Sequence, residues 1–137
     1  MAARRARTPV IYANDHFGNW QSDFHRLIEE CRESERCGRA IVELLEPKPK
    51  DFAVLKPRHS AFYGTPLEFL LSELGTHRLV IAGLETDQCI LCTAQDAYMR
   101  KFSLRVPRNC VATRFPAKGA AALDLMRDHL GADVSRR

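Results

Sequence analysis

The chain has 137 residues, the length of one domain, and we expect a single domain over residues 1–137. Its hydrophobic fraction of 45% and charged fraction of 28% are typical of a soluble globular protein, and no run approaches the ~18 apolar residues of a membrane span. The net charge of +4 is concentrated in arginines at the two ends, without interleaved aromatic residues. The composition therefore favours neither nucleic acid nor a membrane as partner. Five irregularly spaced cysteines do not resemble a disulfide framework, which favours a reduced, cytoplasmic setting.

Short apolar runs predict four strands, at residues 10–13, 52–55 and 79–82 and within a broken run at 104–112. The second and third runs are continuously apolar, which is typical of strands buried on both faces of a parallel sheet. Pro107 interrupts the fourth run and indicates an edge position or a bend.

Helical patterns lie between these strands. Ser22 is the predicted N-cap of the first helix. Thr65 is the predicted N-cap of the second helix, in a capping box with Glu68, and Gly75 ends that helix. Thr86 caps a third helix that runs to about residue 100, and a last helix over 117–130 stops at Gly131. The alternation predicts an α/β protein, with a parallel sheet flanked by helices in three layers. Ligands bind beyond the carboxyl ends of the strands in such folds.

Cys89 follows a buried strand and a glycine-containing turn. With Thr86 as N-cap it occupies the third helical position, where backbone amides and the helix dipole favour the nucleophilic thiolate. The equally supported alternative is a small buried cysteine, as expected for Cys31 and Cys110. Cys89 and Cys92 also form a C-x-x-C, so a redox dithiol is a weaker alternative. Zinc is weaker still, because no second cysteine pair has ligand spacing.

Two further charged residues end strands at the ligand-binding edge. Lys56 is either a snorkelling side chain or a cation that stabilises a thiolate or an oxyanion. Asp15 is either part of an Asx turn or part of a substrate pocket. Aromatic side chains on adjacent loops predict the rest of that pocket, with ordinary packing as the alternative: they are Phe17, Trp20, Phe62 and Tyr63.

Two segments carry a family resemblance. Residues 56–65 read K-P-R-H-S-A-F-Y-G-T, and residues 83–97 contain G-L-E-T-D-Q-C-I followed by T-A and D-A. They resemble the K-x-x-x-S-A-F and G-x-x-T-D-x-C-V-x-x-T-A-x-D-A segments of isochorismatase-like cysteine hydrolases, which include nicotinamidases and N-carbamoylsarcosine amidohydrolases. The resemblance implies an isochorismatase-like, Rossmann-like fold and a hydrolase that acts on a small molecule without a cofactor. It also implies a homo-oligomer.

The resemblance assigns roles to single residues. Cys89 matches the nucleophile and Lys56 the catalytic lysine, and the cysteine favours an amide or related C–N substrate. A cis peptide bond is implied at Leu84–Glu85, which directs the backbone amides of Glu85 and Cys89 at the oxyanion. The Asp-x-His metal pair of nicotinamidases is not matched at Asp15, so no metal site is expected.

The family's catalytic aspartate ends a first strand, which lies in the middle of the sheet. Only residues 1–8 precede the strand predicted at 10–13, so we expect one strand–helix unit of roughly 25–30 residues to be missing. The alternative function is therefore a catalytically impaired, truncated scaffold with an oligomerisation or binding role.

Overall fold

The structure is a computed structural model that describes residues 2–16, 18, 23–33 and 38–136. The fold is α/β, and the chain divides into two compact units, Met1–Leu55 and Lys56–Arg137, each described by itself below. In the described part of the chain, no helix is both long enough and apolar enough to cross a membrane.

The first unit pairs two strands and carries three helices. In chain order the elements are α1 (Ala2–Arg5), β1 (Ile11–Asp15), α2 (Phe24–Glu33), α3 (Gly38–Leu45) and β2 (Phe52–Lys56), and β1 pairs with β2. β1 and β2 confirm the first two predicted strands, whereas α3 was not predicted. Ser22, the predicted cap of α2, lies outside the described residues.

A polar cluster holds this unit together near its strand ends. The Arg4 guanidinium forms an ion pair with Asp51 and also donates to the Tyr12 hydroxyl at 3.0 Å and the Glu46 carbonyl at 2.9 Å. Hydrogen bonding from Arg4 lowers the pKa of Asp51 below its ordinary value. Among the described residues of the unit, Val54 is the one buried apolar side chain.

The second unit holds the remaining elements. They are α4 (Leu67–Glu73), β3 (Arg78–Val80), β4 (Gly83–Leu84), a π-helical turn (Thr86–Ile90), α5 (Leu91–Met99), β5 (Ser103–Arg105), β6 (Val111–Ala112) and α6 (Pro116–Leu130). β3 pairs with β5 and β4 with β6, both in parallel. Apolar side chains of α4, α5, β5 and α6 form the core, among them Leu71, Ala94, Ala97, Leu104 and Met126.

The predicted ends of α4 are confirmed in part. The Thr65 hydroxyl accepts the Leu67 amide at 3.2 Å at the start of α4. At its end the amides of Gly75 and Thr76 return to the carbonyls of Ser72 and Leu71, which is a Schellman motif with Gly75 at φ 58°. The capping-box prediction is wrong for Glu68, because its carboxylate pairs with Arg100 at 2.8 Å instead.

Two strand predictions are corrected. Residues 52–55 and 79–82 were both expected to be buried on both faces, yet Phe52 is 37% exposed and Val80 66% exposed. Among the described strands, β2 pairs with β1 alone and β3 with β5 alone, so each strand has only one neighbour. The run at 104–112 is two strands rather than one. The chain leaves β5 after Arg105, turns at the buried Pro107, where the Cys110 amide returns to its carbonyl at 2.8 Å, and then enters β6.

Candidate active site

A buried lysine and a cysteine, both of the second unit, meet where a strand ends and a helical turn begins. Lys56, the last residue of β2, is 3% exposed. Its Nζ lies 3.5 Å from Cys89 Sγ and donates to the Arg58 carbonyl at 3.2 Å. The strand end and the helix start therefore bring the predicted pair together. A positive charge this close to sulfur favours the thiolate.

Cys89 lies in the first turn of its helix, and that turn is wider than predicted. Thr86 does not cap the helix. It is the buried first residue of the π-helical turn, and Glu85 precedes the turn in an extended conformation, at φ −91° and ψ 142°. The Glu85 carbonyl accepts the amides of Gln88 at 3.1 Å and Ile90 at 3.2 Å. The bond from Ile90 takes the place that the Cys89 amide holds in an ordinary α-helix.

The loop before this turn is anchored through Glu85. The Leu84–Glu85 peptide bond is cis, at the position that the resemblance implied. The Glu85 carboxylate accepts the Arg114 amide at 3.1 Å, lies 3.0 Å from the Thr113 hydroxyl and forms an ion pair with the Arg114 side chain. These bonds lower the pKa of Glu85, and the hydrogen bond from the Arg114 amide has the largest effect. The hydrogen bond from the Thr113 hydroxyl likewise lowers the pKa of Asp87.

The two segments that carry the family resemblance are joined by hydrogen bonds. The buried Ala61 amide donates to the Thr93 hydroxyl of α5 at 3.0 Å. The Ser60 hydroxyl bonds the Asp96 carboxylate one turn further along α5, and it also accepts the Phe62 amide at 3.2 Å. The loop after β2 is thereby fixed against α5, the helix that continues from the turn carrying Cys89, which explains why serine, threonine and aspartate stand at these positions.

Sequence reasoning missed one residue of this site. His59 Nδ1 lies 3.6 Å from Cys89 Sγ, on an exposed ring three residues after Lys56. Proximity of a cysteine and a histidine is a recognised arrangement for nucleophilic catalysis. The available signal was the position of His59 just after a strand, at the edge where ligands bind.

The predicted pocket residues are not brought together in the described structure. Phe62 is 6% exposed and packs against Phe102, with ring centroids 6.1 Å apart, while the Arg100 guanidinium lies 4.9 Å from its ring. Tyr63 is 62% exposed. Phe17 and Trp20 lie outside the described residues. Asp15 ends β1 and lines a cavity of about 80 Å³ within the first unit. The pocket role of these residues stays a prediction.

The described cysteines are all free thiols: Cys31, Cys89, Cys92 and Cys110. Burial, with the neighbouring Cys89 as a further cause, raises the pKa of Cys92 above its ordinary value. Within residues 2–16, 18, 23–33 and 38–136, no group of three histidine, cysteine or acidic side chains is arranged to hold a metal ion.

Comparisons with known proteins identify the family of this chain. The isochorismatase domain matches residues 1–137. An uncharacterised isochorismatase family protein of Bacillus subtilis is 39% identical over 133 residues, which cover 97% of this chain and 72% of that protein.

Solved structures show the same fold. Nicotinamidase from Bacillus subtilis superposes with a TM-score of 0.77 at 32% identity, over 98% of this chain and 79% of that one. N-carbamoylsarcosine amidase from Thermoplasma acidophilum gives a TM-score of 0.74 at 29% identity, over 98% and 76% of the two chains. The chain therefore belongs to the isochorismatase family of hydrolases.

Proposed function

We propose that this chain is a cysteine hydrolase that cleaves the C–N bond of a small amide through a covalent intermediate on Cys89. The observation that carries the proposal is that Lys56 Nζ lies 3.5 Å from the Sγ of Cys89, and Cys89 is in the first turn of a helix. A buried ammonium beside a sulfur favours the thiolate, the form that attacks carbonyl carbon. The names of the similar structures, a nicotinamidase and an amidase, support an amide as the substrate class.

The reaction divides into two steps. The Cys89 thiolate attacks the amide carbonyl, the C–N bond breaks and the nitrogen leaves as an amine with a proton taken from water, so that a thioester remains on the sulfur. The hydroxide left by that water then attacks the thioester, the C–S bond breaks, and the carboxylic acid and the thiolate are released. We assign the developing oxyanion to the backbone amides of Glu85 and Cys89, a type of contact whose loss typically costs ~10²–10³ in rate. The Lys56 side chain, 3.5 Å from the sulfur, stabilises the negative charge of the thiolate when it forms.

The test is release of ammonia from nicotinamide and of amine from a panel of small amides that includes N-carbamoylsarcosine. Cys89→Ser should reduce turnover on the order of 10³-fold or more, because the hydroxyl is a far weaker nucleophile at neutral pH. Cys92→Ser, the matched control three residues away, should retain activity. Turnover that survives Cys89→Ser would overturn the proposal, as would the absence of turnover across the panel.

A further inference from the structure

We propose that Thr113 is a positioning residue of this site, which holds in place the two backbone amides assigned to the oxyanion. This inference rests on the proposed function. Thr113 acts through Glu85 and Asp87, which lie on either side of the buried Thr86 at the start of the turn that carries Cys89. The Thr113 hydroxyl contacts both carboxylates, that of Glu85 at 3.0 Å.

Strand pairing brings Thr113 to this turn. β4 and β6 run in parallel, and their register places Leu84 opposite Ala112. The residues that follow these two in the chain are Glu85 and Thr113. The backbone register therefore sets the two side by side at the carboxyl ends of the strands, the edge where ligands bind in an α/β fold.

Helix α6 packs directly on the Thr113 side chain. A Cβ added to the buried Gly119 of this helix would lie 2.5 Å from Thr113 Cγ2 and 3.8 Å from Thr86 Cβ. Carbon atoms that are not bonded do not approach to 2.5 Å, so a larger residue in place of Gly119 would displace the threonine. The methyl group of Thr113 is thereby held against α6 while its hydroxyl meets the carboxylates, and a β-branched side chain has little freedom to turn away.

The hydroxyl lies between two negatively charged groups. Glu85 has further donors, because it accepts the Arg114 amide at 3.1 Å and pairs with the Arg114 side chain at 2.9 Å. For Asp87 the hydrogen bond from Thr113 is the largest cause of its lowered pKa. Without the hydroxyl, Asp87 loses this donor while the charge of Glu85 stays beside it, and like charges at short range repel. That repulsion acts on the two residues that begin the turn.

The position of Glu85 determines the position of the oxyanion donors. Its own amide is one of them, and its carbonyl accepts the amides of Gln88 at 3.1 Å and Ile90 at 3.2 Å. The amide of Cys89 lies between these two in the chain, so it moves with them. Oxyanion donors act over about 2.7–3.1 Å, and a displacement of about 1 Å is enough to cost on the order of 10²-fold in rate. The Thr113 hydroxyl therefore affects the attack on the carbonyl through the backbone of the turn.

The experiment compares two reactions of the same sulfur. Amide hydrolysis needs the oxyanion donors, whereas alkylation by iodoacetamide displaces iodide and forms no oxyanion. Thr113→Val replaces the hydroxyl with a methyl group and should lower kcat for a hydrolysed amide about 10- to 100-fold, with little change in KM or in the alkylation rate of Cys89. Thr113→Ser keeps the hydroxyl and should retain most of the turnover. Thr76→Val, the same substitution elsewhere in the unit, is the control and should match the intact chain.

A second variant tests the charge argument and serves also if Thr113→Val does not fold. Thr113→Val combined with Asp87→Asn removes one of the two charges and should recover most of the lost turnover. Failure to recover it would overturn the positioning role, as would alkylation of Cys89 that falls in step with turnover, since a merely structural role lowers both. Unchanged turnover in Thr113→Val would also overturn it and leave the Cys89 mechanism standing. If the intact chain shows no turnover that Cys89→Ser removes, the proposed function itself fails.

Discussion

Cys89 and Cys92 lie three residues apart in differing electrostatic surroundings. Cys89 Sγ has Lys56 Nζ at 3.5 Å and His59 Nδ1 at 3.6 Å. Cys92 is further along the helix, where burial raises the pKa of its thiol. A raised thiol pKa means that the reactive thiolate of Cys92 forms only at higher pH than for an ordinary cysteine. The two thiols should therefore differ in reactivity near neutral pH.

Limiting iodoacetamide at mildly acidic to neutral pH should alkylate Cys89 before Cys92, as read by peptide mapping. Lys56→Met should slow the labelling of Cys89 about fivefold or more, because a unit charge at this distance contributes ~1 kcal/mol even in water. Lys101→Met, at an exposed lysine of the same unit, is the control and should leave the rate unchanged. Labelling of Cys92 first would show that the lysine does not activate Cys89.

At the scale of elements, the site depends on the attachment of one loop to one helix. The buried Ala61 amide has the Thr93 hydroxyl of α5 as its acceptor at 3.0 Å, and the Ser60 hydroxyl is bonded to Asp96. Both bonds join residues more than 30 positions apart in the chain. These two bonds hold the loop so that Lys56 and His59, which precede Ser60 in the chain, lie beside Cys89 Sγ.

Thr93→Val should lower the free energy of unfolding by about 1–3 kcal/mol, because it leaves the buried Ala61 amide without its acceptor. It should also reduce Cys89-dependent turnover, since the loop is no longer held. Thr93→Ser keeps the hydroxyl and loses only a methyl group, so it should retain most of the stability and most of the turnover. The measurements are urea unfolding and the amide assay. Equal stability of the valine and serine variants would show that this bond does not hold the loop.

Part of the site follows from the sequence and part does not. The meeting of Lys56 and Cys89 is predictable, because each follows an apolar strand and carboxyl ends of parallel strands share an edge. The position of the His59 ring is not, because it depends on the tertiary bonds of the loop rather than on any periodic pattern. The π-helical turn was missed because backbone hydrogen-bond register leaves little trace in apolar spacing. α3 was missed although Ile41, Leu44 and Leu45 recur at helical spacing in its sequence.

At the scale of the whole molecule, the two units differ in how much apolar surface they bury. The described core residues lie almost entirely in Lys56–Arg137, whereas Val54 is the one buried apolar side chain described in Met1–Leu55. The described first unit relies more on polar contacts, such as the ion pair of Arg4 with Asp51. Burial of apolar area is the main favourable term in folding, so local stability should follow it.

Hydrogen exchange followed by mass spectrometry should show this difference. After correction for intrinsic rates, we expect amides of β1 and β2 to exchange at least tenfold faster than those of β3 and β5, about 1.4 kcal/mol less opening free energy. Matched amides are Phe52, bonded to Val10, and Ile81, bonded to Arg105, each at 2.9 Å. Equal protection of the Phe52 and Ile81 amides would contradict the inference that the second unit is the more stable one.

The most direct test of the central claim is to trap the covalent intermediate. The chain is mixed with an amide that it hydrolyses, and the reaction is quenched in acid during turnover. Intact mass and peptide mapping should then show one acyl group on the chain. That group should sit on the Cys89 peptide and be removable by hydroxylamine, as a thioester is. Cys89→Ser should show neither the thioester nor turnover. Hydrolysis that proceeds without an acyl group on Cys89, at an unchanged rate in Cys89→Ser, would contradict the account.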